Sequence, residues 1–270
     1  VTDVTTTPAT LLDALLIGPR ECVAIVGGGG KTTVMYRLAD EAVAAGRTAV
    51  VGGTTRFTPP ATGKMPMVVA VREYEDPAPA VAAALRKSPS VTCTTGRGDK
   101  GRWLPISMEQ AATISGMRDV GLVVLEADGS RNRPFKAPGD SEPVVPSGTT
   151  LVLAMVGLDV IGKPLDAASV HRPERVSQIS GVAVGDMVSA SCVASVLLSA
   201  EGGRKGVPES ARWIPVLNKA EAERRDVAEK VARLLLEGGA VAVILTMAAS
   251  TKPIVAVYRS PAATPTARGD

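Results

Sequence analysis

Aromatic side chains are scarce in this chain, 3% of its 270 residues, and it has one histidine, His171. The first shortage leaves few flat platforms on which unpaired bases stack. The basic balance, net charge +3 and pI near 8.8, is therefore not expected to mean direct nucleic-acid binding. The second shortage excludes a metal centre built on several imidazoles. The three cysteines, Cys22, Cys93 and Cys192, lie far apart, without CxxC pairing, in stretches of small or apolar residues, and are expected to be reduced core residues. No apolar run reaches the roughly 18 residues that read as a membrane span. The N-terminal stretch, with Asp3, Asp13 and many threonines, lacks the basic start and apolar middle of a signal peptide. The expectation is a cytoplasmic protein with no membrane contact.

Hydrophobic residues make up 45% of the chain, enough for a sizeable core without disulfides or a structural metal. Short β-branched runs alternate with longer Ala/Leu-rich amphipathic runs, the signature of βα units and a parallel sheet. Strands are predicted at 22–26, 48–52, 90–94, 121–126, 150–156, 213–217 and 240–246. Helices are predicted at 9–17, 31–45, 80–87, 108–116, 185–200 and 220–237. Strands such as Leu122-Val123-Val124-Leu125 are apolar without alternation, as strands covered on both faces are. The fold class expected is α/β: a doubly wound, mostly parallel sheet with helices on both faces, in one domain spanning 1–260. The Pro/Gly-rich stretch 129–148 reads as a long functional loop, and 261–270 as a disordered tail.

An apolar strand followed by Gly27-Gly28-Gly29-Gly30-Lys31-Thr32-Thr33, opening an amphipathic helix, has the order of events that a phosphate needs. Glycines let several backbone N–H groups face one anion, the helix N-terminus adds partial positive charge, and Lys31 adds a full one. The Thr32 hydroxyl is placed for Mg²⁺. Counted from Gly27 the loop is the short form GxxGKT, because the earlier glycine of the usual pattern is replaced by Ile25. This short form resembles the ATP loop of Mur ligases and folylpolyglutamate synthases. A ligand-free turn is the alternative, but it has no need of Lys-Thr-Thr at this spot. Because such a site opens to solvent, Lys31→Ala is expected to weaken triphosphate binding and leave the fold intact.

The predicted strand 121–126 leads into Glu126-Ala127-Asp128, whose two carboxylates, at i and i+2, share a face. Ligands gather beyond the carboxyl ends of parallel strands, so Asp128 or Glu126 is expected to hold Mg²⁺, with Asp128 beside Thr32 as the leading pair and Glu126 as the second choice; the alternative is that the acids cap the next loop. Arg131, Arg133 and Lys136 follow closely and are candidates for phosphates or an anionic substrate. Thr54-Thr55-Arg56 follows the second predicted strand, and Thr55 is the candidate to sense the terminal phosphate or position water. Asp159 and Lys163 emerge after another strand and are second-choice substrate candidates, with His171 and Arg172; a surface or loop-packing role is the favoured reading of His171, which lies in no helical or strand pattern, and Arg172 and Glu174 are expected to pair with each other. Trp103 and Trp213 are expected to pack.

The blocks Glu126-Ala-Asp-Gly-Ser-Arg131, Pro134-Phe-Lys-Ala-Pro138, Glu142-Pro-Val-Val-Pro146, Val156-Gly-Leu-Asp159, Gly162-Lys-Pro164 and His171-Arg-Pro-Glu174 resemble the selenium-dependent hydroxylase accessory proteins of the YqeC type. The likeness runs from the glycine loop to Asn218-Lys219. It implies a P-loop nucleotide-binding protein associated with maturing molybdenum-containing hydroxylases, whose client is such an enzyme or a cofactor-handling protein.

The leading expectation is therefore a slow, Mg²⁺-dependent NTPase using ATP or GTP, with Lys31, Glu126, Asp128 and Thr55 in catalytic roles. Asn218-Lys219-Ala220-Glu221 is similar to the NKxD base-recognition motif of GTPases, with Glu221 in place of the aspartate, and favours guanine. The alternative for this motif is helix chemistry, with Asn218 capping a helix that begins near Ala220. Two rival functions stand beside the NTPase: a Mur-type ATP-dependent ligase and a non-catalytic, nucleotide-responsive binding module.

Overall fold

Strands covered on both faces must give alternate residues to opposite cores, and this chain does so around one sheet. The computed structural model describes residues 2–3, 8–60 and 66–260. The tail expected to be disordered, 261–270, lies outside the described residues. The strands are β1 (Thr2–Asp3), β2 (Glu21–Gly27), β3 (Ala49–Gly53), β4 (Met67–Ala70), β5 (Ser90–Thr94), β6 (Leu122–Glu126), β7 (Phe135–Lys136), β8 (Leu151–Gly157), β9 (Val170–His171), β10 (Arg212–Asn218), β11 (Ala242–Thr246) and β12 (Ile254–Arg259). The helices are α1 (Leu11–Ala14), α2 (Lys31–Ala44), α3 (Ala78–Leu85), α4 (Met108–Gly116), α5 (Pro173–Ser180), α6 (Ala190–Leu198) and α7 (Arg225–Glu237).

Ten strands form one sheet in the order β1-β12-β11-β10-β8-β2-β6-β3-β5-β4, parallel except where β12 meets β11 and β1. Val23 and Ile25 of β2 join α1 and α2 in one core, whereas Ala24 and Val26 join α6 and α7 in another. Residues Leu151 and Leu153 of β8 fall with the first core, Val152 and Ala154 with the second. A third core packs α3 and α4 on Val50, Val91 and Val123. Helices thus cover both faces of a doubly wound, mostly parallel sheet. From β2 the chain winds toward β3, and from β8 it winds the other way toward β10, so the order reverses between β2 and β8. In open α/β sheets the ligand crevice lies at that reversal, beyond the carboxyl ends of the strands. The glycine loop stands there.

All seven predicted strands are present. Edge strand β4, and β12 between β1 and β11, were not expected: β4 is four residues long with one buried side chain, too short to show a period, and β12 directly follows Pro253. Three helices are shorter than predicted. The 9–17 prediction shrinks to α1, capped by Thr10, whose Oγ1 accepts from Asp13 N, and is cut off at Leu16 by a φ of 51°. The 185–200 prediction begins at Ala190 because Ser189 caps it, accepting from Cys192 N. The 220–237 prediction begins at Arg225 after a 3₁₀ turn at Ala222–Arg224, since Lys219 is left-handed (φ 61°). Helix α5 starts at Pro173, where a first-turn proline is tolerated, and lies outside the predicted helices. The three cysteines are buried and free, and Trp103 and Trp213 are buried. Among the described residues no helix is long and apolar enough to cross a membrane.

Candidate functional site

The glycine loop is locked in shape before any ligand arrives. Gly30, at φ 123°, caps α2, and a Cβ there would lie 2.3 Å from Asn218 Nδ2. Gly28 packs on the following loop, its would-be Cβ 2.5 Å from Arg133 O. Only glycine fits either place. No side chain caps α2, and its first turn holds no acid, so the N–H groups of that turn and the helix dipole stay available to an anion.

Lys31 is 4% exposed. Its Nζ donates to Gly27 O at 2.7 Å and lies 3.3 Å from Asp128 Oδ1 and 3.7 Å from Glu126 Oε1. The premise behind the expectation that Lys31→Ala spares the fold, a lysine open to solvent, is corrected by this burial: the ammonium is part of an internal ion cluster rather than a solvent-facing charge. Thr32 Oγ1 donates to Glu126 Oε2 at 2.9 Å, so the hydroxyl at the start of α2 meets Glu126 and not Asp128. Burial pushes the Glu126 carboxyl above its ordinary range, opposed by the charge of Lys31 and the Thr32 hydroxyl. Asp128 lies behind the loop, both oxygens accepting from Gly27 N at 3.1 and 2.9 Å.

Lys136 is as deeply placed as Lys31. Its Nζ donates to Gly129 O at 2.7 Å and to Glu142 Oε2 at 2.6 Å, and pairs with Asp128 Oδ2 at 3.0 Å. Arg172 Nη1 holds the same Glu142 oxygen at 2.8 Å. Arg172 therefore pairs with Glu142 rather than the expected Glu174. The short pairing of β7 with β9, Lys136 opposite His171, brings these loops together. Three cations (Lys31, Lys136, Arg172) and three carboxylates (Glu126, Asp128, Glu142) make one charge-balanced chain from α2 to the start of α5. Glu142 carries no signal as a site residue in the sequence beyond opening the run Glu142-Pro-Val-Val-Pro146.

Burial alone would raise Glu142, but hydrogen bonds from Arg172 and Lys136, and their charges, bring its carboxyl from 4.5 down to about 2. A depressed acid adds stability that is present above its unfolded value and lost as pH falls through the folded one. Glu142→Gln should therefore destabilise the protein near neutral pH, and its deficit against wild type should shrink as pH drops from about 4.5 towards about 2. Denaturant titrations at neutral pH and near pH 3 check this; a deficit independent of pH would mean that shape, not charge, is lost. His171 is lowered as well, first by burial and then by the charges of Arg172, Lys136 and Arg131, from 6.5 to about 4, so at neutral pH it is an uncharged imidazole.

The threonines after β3 fasten strand ends. Thr54 Oγ1 donates to Val144 O at 2.6 Å, and Thr55 Oγ1 reaches Glu126 O at 3.5 Å. Asn218 is buried and committed at both ends: Nδ2 donates to Gly29 O at 2.7 Å, while Oδ1 accepts from Thr246 Oγ1 and Ala248 N, each at 3.0 Å. It ties the glycine loop to the loop after β11 and does not cap a helix. Lys219 Nζ donates to Asp159 Oδ2 at 2.8 Å, closer than Lys163 at 3.8 Å, and Glu221 pairs with Arg224. Arg131 is exposed, and Arg133 Nε donates to Ala167 O at 2.8 Å.

An open cavity of about 870 Å³ runs from Thr32 and Thr33 along α2, past Tyr36, Arg37, Asp40 and Glu41, and is lined also by Pro59, Pro60, Ala248 and Ala249. Arg37 fixes one wall, donating to Ala248 O at 2.7 Å and Ser250 O at 2.5 Å. Among the described residues no cluster of three or more His, Cys, Asp or Glu side chains is placed to hold a metal by itself. The Thr32–Glu126 pair fits Mg²⁺, which commonly takes one or two protein oxygens and completes its shell with phosphates and water.

A family model described as YqeC protein matches residues 23–174, more than half of the 270-residue chain. The matched stretch holds the glycine loop and all six members of the ion chain; Asn218 and Lys219 lie beyond it. The uncharacterized protein YqeC of Escherichia coli (strain K12) is 27% identical over 197 residues, 73% of this chain and 75% of that protein. No solved structure matches.

Proposed function

The chain belongs to the YqeC family, and from that premise we propose that it binds a nucleoside triphosphate with Mg²⁺ at the glycine loop and hydrolyses it slowly. The observation that carries this reading is the uncapped start of α2, where Lys31 and Thr32 meet Glu126 at the reversal point of the sheet. Phosphates would take the free N–H groups of the first turn. Lys31 would exchange its bond to Gly27 O for a phosphate oxygen, and Thr32 with Glu126 would hold Mg²⁺. The cavity beginning at Thr32 and Thr33 has room for the nucleoside attached to those phosphates. Service to maturing molybdenum-containing hydroxylases, through a client enzyme or a cofactor-handling protein, is the part of the proposal that rests on the family resemblance.

Calorimetric titration with GTP, ATP and ITP, with and without Mg²⁺, tests the reading; no binding of any of the three would end it. A guanine preference rests on the likeness of Asn218-Lys219-Ala220-Glu221 to the NKxD motif alone: Glu221 lies outside the lining of that cavity and is paired with Arg224, a partner it would have to give up to accept from the ring N–H and the exocyclic amine. GTP should then bind more tightly than ITP, which lacks that amine, and than ATP. Equal affinity for ATP and GTP would remove the guanine assignment and leave the phosphate loop untouched.

The two acids should separate in the same experiment. Glu126→Gln is expected to remove most of the Mg²⁺ enhancement of nucleotide affinity, because it discards the charge beside Thr32. Asp128→Asn should act mainly on the fold, costing about 1–3 kcal/mol by leaving buried partners unmatched. If the Mg²⁺ enhancement instead survives in Glu126→Gln and vanishes in Asp128→Asn, the metal belongs to Asp128.

A further inference from the structure

Four basic side chains take no part in the site just described. Arg56 follows β3, and Arg97, Lys100 and Arg102 stand on the hairpin after β5. β3 and β5 are parallel neighbours, so both segments leave the same carboxyl edge of the sheet. Bridges from Phe57 and from Arg97 to Trp103 join them. Trp103 N donates to Phe57 O at 2.8 Å, Arg102 Nη2 donates to Arg56 O at 2.5 Å, and the Arg97 guanidinium lies 4.9 Å from the centre of the Trp103 ring.

The cluster is short of negative charge. Asp99 is the one acid between Thr95 and Ile106, and among the described residues none of the four cations forms an ion pair. Four cations against one carboxylate, with Arg97 held over Trp103 and Arg102 held by Arg56 O, give a positive field that suits a doubly charged anion better than a single carboxylate. Its position relative to the phosphate loop is also set. Gly53 of β3 is the register partner of Glu126, Thr54 N donates to Glu126 O at 3.1 Å, and Arg56 stands two residues further on.

We propose that Arg56, Arg97, Lys100 and Arg102 form a second anion site, which receives the phosphomonoester group of a small second substrate beside the nucleotide. The proposal rests on the nucleotide reading for the identity of its neighbour, but the site itself stands on its own residues.

Titration of inorganic phosphate into the full chain, with the glycine loop saturated by Mg²⁺ and a non-hydrolysable triphosphate analogue, tests it. Wild type should bind phosphate, and Arg102→Gln and Lys100→Asn should each bind it about tenfold more weakly, the scale of one lost charge-assisted contact. Both variants should keep their nucleotide affinity. Lys100 sits at φ 57°, which asparagine tolerates, so that variant preserves the hairpin even if loss of the Arg102–Arg56 contact disturbs it. No phosphate binding by the loaded wild type, or binding unchanged in both variants, overturns the second site and leaves the nucleotide site standing. Parallel loss of nucleotide and phosphate also overturns it, by making the cluster part of the nucleotide site. Acetate displacing phosphate at equal concentration overturns the phosphate assignment. Phosphate binding that depends on Lys100 and Arg102 in a protein that binds no nucleotide supports the anion site and sinks the nucleotide reading.

Discussion

Lys31→Ala should lower Mg²⁺–triphosphate affinity by at least tenfold and, in the same protein, reduce the stability of the fold. The first effect follows from loss of a charge-assisted contact worth about 1.5–3 kcal/mol. The second follows from the place of Lys31 between Asp128 and Glu126. Its size is limited by what remains. Asp128 keeps Lys136 and both bonds from Gly27 N, and Glu126, already raised by burial, can take a proton and stay bonded to Thr32. A loss of about 1–3 kcal/mol is therefore expected, not the larger cost of an orphaned ion. Calorimetry at a temperature where circular dichroism shows the variant fully folded separates the two effects. Undiminished affinity in a folded variant would remove the basis of the nucleotide reading.

The sheet was legible because its central strands are buried on both faces. Val23 to Val26 and Leu122 to Leu125 are continuous apolar runs, and glycines or acids end them. The edges were not legible. Met67 and Val68 of β4 are exposed, and its four residues offer no period to detect. Helix starts failed where one residue's backbone decides the boundary, as left-handed Lys219 does ahead of α7. A lysine in a polar tetrapeptide gives no sign that it will adopt φ 61°.

The site divides along the same line. Local order marks the glycine loop, since strand, glycines, lysine and helix are consecutive. The partners of its charges are distant in sequence. Lys136 reads as a candidate for a phosphate or an anionic substrate in a Pro/Gly-rich loop, yet its side chain is 1% exposed and joins Asp128 to Glu142. Arg172 reads as a partner for Glu174, two positions away, yet meets Glu142, thirty positions away. Spacing in sequence cannot reveal such pairs, because β7 and β9 must first pair to bring the two loops together.

Lys136 should matter more to the fold than Lys31 does. Its ammonium serves two carboxylates and a backbone carbonyl with almost no access to water, so Lys136→Met, which keeps much of the stem and discards the charge, leaves Asp128 and Glu142 with fewer compensating partners. Breaking a buried pair in this way costs about 3–5 kcal/mol. For a chain of this size that is a fall in Tm of roughly 6–20 °C. Adding Glu142→Gln to Lys136→Met should recover part of the loss, because the amide no longer needs a counter-charge, while Arg172 still has its exposed face to solvent. A double-mutant cycle measured by denaturant unfolding reads that recovery as a coupling of about 1–3 kcal/mol. Simple additivity of the two substitutions would show that Lys136 and Glu142 stabilise the loop independently. Loss of nucleotide affinity in Lys136→Met beyond what its stability explains would place Lys136, through Asp128 and Gly27, in control of the shape of the glycine loop.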